Sequence, residues 1–133
     1  MQRHPLVLLV VVAAAALAAC GSSSSKPSYC SDKSSLDSSM KGITTVDVRS
    51  NGISALTAQA QKVQDDAKAL VSSAKGDFPQ QTSAITTSVD ALNASLKGLP
   101  SSPSLQQLAG VATNATSVAS AVKGFSDATS SKC

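Results

Sequence analysis

The side chains with chemical potential in this chain are few, and three of them are thiols: Cys20, Cys30 and Cys133. A thiol can be acylated, paired as a disulfide, used as a nucleophile or bound to a metal. Nucleophilic or general acid–base catalysis needs a partner base, paired carboxylates or a metal. The chain has no Glu, and its one histidine, His4, lies in the apolar N-terminal segment. Asp65 and Asp66 are adjacent, so on a helix they diverge by about 100° and cannot face one another across a substrate. With Lys62 and Lys68 they read as a solvated helix face with i,i+3 pairs. Asp47 and Arg49 flank Val48, and the plain reading there is a loop ion pair or solvent exposure. Asn93-Ala-Ser95 and Asn114-Ala-Thr116 have the form of glycosylation acceptors. Both fall within helical stretches, where the match is read as accidental. No Gly-rich phosphate loop is present.

The N-terminal segment gives Cys20 its meaning. Arg3 is followed by an apolar run from Leu6 to Ala19, 14 residues, and Ala18 and Ala19 are small residues ahead of a cut. A spanning helix needs about 20 apolar residues, and only Gly21 and four serines follow the run. Leu17-Ala18-Ala19-Cys20 resembles a bacterial lipobox at every position. The resemblance to a lipoprotein precursor covers residues 1–21. It implies a signal peptide over 1–19, cleavage after Ala19 and a diacylglycerol on the Cys20 sulfur. The protein is then expected at the cell membrane, lipid-anchored on the extracytoplasmic face. Each buried CH₂ contributes about 0.8 kcal/mol, so one acyl chain holds marginally and two or three hold stably. The Ala/Ser/Thr-rich remainder resembles small helical lipoproteins of high-GC Gram-positive bacteria, on composition and layout only.

With the lipobox accounting for Cys20, Cys30 and Cys133 remain as a pair. Outside the cytoplasmic membrane that reads as a disulfide. Closing a loop of about 100 residues stabilises by roughly 4–5 kcal/mol in the chain-entropy view. Two thiolates with no histidine nearby make a poor zinc site, which takes four ligands, so neither metal nor cofactor is expected. Residues 20–29 form a Ser-rich tether that buries little and reaches roughly 33–36 Å when extended.

Residues 30–133 are expected to form one domain. Hydrophobic residues make up 42% of the chain but aromatics only 2%, without Trp, so the core must be aliphatic. The net charge is +3 with no basic run, which argues against a nucleic-acid partner. Apolar residues alternate at spacings of three and four from Ile53 to Ala74, from Phe78 to Leu99 and from Leu108 to Phe125, with Leu36, Met40 and Ile43 as a shorter stretch. That spacing gives one stripe per helix and a coiled-coil-like seam.

The pattern predicts an all-α fold: a small antiparallel bundle of one short helix (31–41) and three long ones (50–75, 78–97 and 103–129), clipped by the disulfide. Lys41-Gly42, Lys75-Gly76 and Lys97-Gly98 predict left-handed stops, and Lys123-Gly124 a weak point in the last helix. Asp77 with Gln80 and Ser102-Pro103 predict the next two starts. Tyr29 is expected against the disulfide.

The functional expectation is a non-catalytic envelope lipoprotein acting as an interaction or scaffold module on an envelope protein, not an enzyme. The alternative is a carrier or sensor holding a small apolar ligand between its helices. That reading requires a gap in the bundle, against which the small seam residues argue.

Overall fold

The computed structural model describes residues 26–133. Four helices follow one another: α1 (Ser28–Thr45), α2 (Val48–Ala74), α3 (Pro79–Lys97) and α4 (Leu105–Ala128). No strand occurs among the described residues. Consecutive helices pack side by side, and α4 returns to α1 to close a ring of four, with α1 against α4 the loosest seam.

The three/four spacing marks the buried face of each helix. Leu56, Ala60, Val63, Ala67, Leu70 and Ala74 are buried on α2, and Thr82, Ile85, Val89, Leu92 and Leu96 on α3. Val111, Ala115, Val118, Val122 and Phe125 are buried on α4. These faces form one core with Leu36, Met40 and Ile43 of α1. Ser39, Thr82 and Thr129 are buried too. Each satisfies its hydroxyl locally by donating to a carbonyl three or four residues back, on Leu36, Phe78 and Phe125 respectively.

Helix α1 is 18 residues long, nearly the 19 of α3, and does not stop at Gly42. Continuing to Thr45 buries Ile43. The hydroxyls of Thr44 and Thr45 occupy the last-turn carbonyls of Lys41 and Gly42, at 2.8 and 3.0 Å. Near Lys75 and Lys97 the helices stop as expected, but neither Gly76 nor Gly98 takes a positive φ; Gly98 keeps right-handed geometry, with φ −79°. The helix α4 runs through Gly124 to Ala128.

Two starts differ from the sequence reading. Helix α3 begins at Pro79 after Phe78, with no side-chain cap, so Asp77 and Gln80 do not form a box. Phe78 takes the position because its ring is drawn into an aromatic cluster. Helix α4 is capped by Ser104, two residues beyond Ser102. Ser104 Oγ accepts from Gln107 N, and Gln107 Oε1 accepts from Ser104 N, a reciprocal box that outcompetes Ser102-Pro103.

The helix α2 has a break that the periodicity does not show. Asp47 caps its first turn, and Gly52 then adopts φ 74° and ψ 179°. That region is open essentially to glycine alone.

Candidate functional site

Cys20 and residues 1–19, the expected signal peptide, lie outside the described residues. Cys30, in the first turn of α1, and Cys133, just beyond α4, are joined by a disulfide with Cα atoms 5.5 Å apart across 103 positions of sequence. The two ends of the described domain are thereby tied together.

Tyr29 packs in the same region, with different partners from those expected. Its ring meets Phe78 and Phe125 edge-on at 5.5 and 5.9 Å, and Phe78 meets Phe125 at 5.5 Å. The chain's one Tyr and two Phe thus form a single cluster that welds α1, α4 and the start of α3. Edge-to-face pairs of this kind add about 0.5–1.5 kcal/mol each beyond burial. Aromatics 47 and 49 residues apart carry no local spacing signal, so sequence reasoning could not find the cluster. The Tyr29 hydroxyl is buried with no hydrogen-bond partner.

The charged candidates stay apart. Asp65 accepts from Gln61 Nε2 at 3.1 Å and forms no ion pair with Lys62 or Lys68. Among the described residues the one ion pair is Lys123–Asp127 at 2.9 Å, on the surface of α4. Asp47 is neither a loop ion pair nor idle: one carboxylate oxygen accepts from Arg49 N and Ser50 N, and the other from Ser50 Oγ at 2.7 Å. Hydrogen bonds from Ser50, then from Arg49, hold its carboxyl below the usual value. The Asp-x-x-Ser spacing before an apolar run is the signal that identifies it. Asn114 donates to the Ala91 carbonyl at 3.4 Å, linking α4 to α3. No cluster of three potential metal ligands occurs among the described residues, and none of their helices is long and apolar enough to cross a membrane.

The feature with the capacity to bind is a groove of about 740 Å³ between α1 and α4, closed below by the start of α2. It lies along the loosest seam of the ring. Helices α1 and α4 are joined at the disulfide, at the Tyr29–Phe125 pair and where Lys33 Nζ donates to Ser126 Oγ at 3.0 Å. Ala112, Ala115 and Ala119 line the α4 side of the groove. Met40, Ile43, Leu56, Val111 and Val122 form the floor, and each is at most 8% exposed. Small seam residues were expected to pack tightly; the one among these three alanines, Ala115, is buried yet still borders the groove. Volumes of 300–1,000 Å³ with apolar walls are typical of small-molecule sites.

Compared with known proteins, the chain matches no family model, no curated protein and no solved structure.

Proposed function

We propose that this chain is a non-catalytic lipoprotein of the cell envelope whose helical domain is a binding module held at the membrane. In this reading residues 1–19 are a cleaved signal peptide, Cys20 carries lipid, the tether is shortened to residues 20–27 because Ser28 and the buried Tyr29 belong to α1, and the domain stands on the extracytoplasmic face. Support for the anchor is the lipobox Leu17-Ala18-Ala19-Cys20 together with a disulfide, a bond of oxidising compartments. Neighbouring helices run antiparallel, a reading supported by the two-residue connection between α1 and α2 and the four-residue one between α2 and α3.

Two versions of the module differ in what binds. A scaffold would offer its outer faces to an envelope protein. A carrier or sensor would hold a small apolar ligand between helices. The α1/α4 groove is the observation that favours the second. The exported Cys20→Ser chain, collected without detergent, tests it by native mass spectrometry. A carrier arrives with a population heavier than the polypeptide, and Ala119→Trp, which fills the groove from an exposed position, arrives without it. Identical bare masses for both chains would return the scaffold reading to first place. Labelling of the wild-type chain by a fatty-acid analogue, lost in Cys20→Ser, tests the anchor separately.

A further inference from the structure

We infer that the α1/α4 groove takes one alkyl chain of a membrane lipid, with a head group of no net charge left at the rim. The inference rests on the carrier reading and supplies its ligand class. The floor side chains Met40, Ile43, Leu56, Val111 and Val122 are aliphatic or thioether. The three aromatic rings are spent on one another at the disulfide end, so the groove has no flat platform for a planar ligand. A flexible hydrocarbon conforms to such a floor.

Size selects among apolar occupants. Along α1 the groove runs from Asp37 to Val46, nine residue steps, or about 14 Å at 1.5 Å each. One leaflet of a bilayer's hydrocarbon core is about 15 Å thick. Charge selects the head. Asp37 and Lys41 on α1 face Lys123 and Asp127 on α4, two positive and two negative groups. Lys123 and Asp127 are already paired with each other at 2.9 Å, so the rim carries no net charge and offers no net attraction to an anion.

The tether brings the groove to its ligand. Eight residue steps separate a lipid on Cys20 from the start of α1 at Ser28, a reach of roughly 26–29 Å.

The experiment titrates the full-length exported Cys20→Ser chain with lysophosphatidylcholines of eight to sixteen carbons, each below its micelle-forming concentration. Calorimetry and methyl shifts of Met40 and Ile43 are the readouts. Expected is saturable one-to-one binding that tightens roughly four-fold per added CH₂ and levels off once the chain outgrows the groove. Ala119→Trp should weaken binding at least ten-fold with an unchanged melting temperature. Ala84→Trp, on an exposed face of α3, should bind like the parent. Absence of saturable binding, indifference to Ala119→Trp, or a dimer that Ala119→Trp splits would each overturn the inference; the last would make the groove a surface for a second copy. A heavier native mass alongside failed lysophosphatidylcholine binding would keep the carrier and reject this ligand.

Discussion

The Gln59 carboxamide lies across α1 where residue 42 has no side chain, with Nε2 donating to the Ser39 carbonyl oxygen at 2.8 Å. A Cβ at Gly42 would fall within 2.6 Å of Gln59 Cδ. Gly42 is therefore a crossing point between α1 and α2, not a helix stop.

Two effects oppose at that position. Alanine is favoured over glycine in a helix interior by about 0.8–1.0 kcal/mol, while displacing Gln59 forfeits a hydrogen bond of about 0.5–1.5 kcal/mol. Gly42→Ala should thus leave stability nearly unchanged in the wild-type background and raise it by about 1 kcal/mol in Gln59→Ala. A double-mutant cycle by urea unfolding reads the coupling, expected at about 1 kcal/mol. A coupling of zero would mean that Gln59 does not occupy the site.

Gly52 and Gly124 are exposed glycines in helices, and a Cβ at either meets nothing within 4 Å. Packing alone predicts the same outcome for both. Backbone geometry does not: Gly52 sits at φ 74° and ψ 179°, where a side chain costs on the order of 1–3 kcal/mol. Gly52→Ala should destabilise by that amount, and Gly124→Ala should stabilise by roughly 0.5–1 kcal/mol. Melting temperatures moving in the same direction would place the break in α2 elsewhere.

The helix faces were legible because burial repeats along them. Val63, Leu70, Ile85 and Val118 are fully buried and stand on the three/four stripe. The caps were less legible. Lys-Gly pairs look alike in sequence, yet α1 and α4 pass through theirs because Ile43 and Phe125 beyond them are buried. The groove was not legible at all. Ala115 and Ala119 have the same composition whether a neighbouring helix closes on them or is held off. What joins α1 to α4 is a set of contacts between residues distant in sequence, Tyr29 with Phe125 and Lys33 with Ser126, which no local spacing announces.

Asp47 gives α2 a pH dependence of defined sign. Its carboxyl is held below its ordinary value of 3.8, first by the Ser50 hydroxyl, then by the backbone amides of Ser50 and Arg49. A depressed carboxylate contributes stability that is fully present above the unfolded pKa and is lost as pH falls through the folded one. The first turn of α2 should fray as the pH drops below about 4. The Asp47 carboxyl carbon, followed by NMR, should titrate with a midpoint under 3.8, with the Arg49 and Ser50 amides shifting in step. Asp47→Asn keeps an acceptor oxygen and should flatten the amide response. A midpoint at or above 3.8 would show that the cap is not made in solution.

The Cys30–Cys133 bond closes nearly the whole domain, and it does so at the loosest seam of the ring, between α1 and α4. Opening it should act twice. The unfolded chain regains the freedom of a loop of about 100 residues, worth roughly 4–5 kcal/mol in the chain-entropy view. The folded chain loses one of the few ties that set the α1–α4 spacing, leaving the Tyr29–Phe125 contact and the Lys33–Ser126 hydrogen bond. In the Cys20→Ser chain, no thiol should react before reduction. Reduction should lower the melting temperature by more than about 10 °C, since each kcal/mol is worth about 4–8 °C in a domain of this size. Helix content at 20 °C should persist, because Leu36, Met40 and Ile43 keep α1 in the core. Hydrogen exchange distinguishes the two effects: a purely unfolded-state effect lowers protection of the most stable amides in all four helices equally, whereas a lost tie adds local opening in α1. Alkylation of both thiols in the native, unreduced protein would remove the bond itself, and equal loss of protection across the helices would remove its role in spacing the groove.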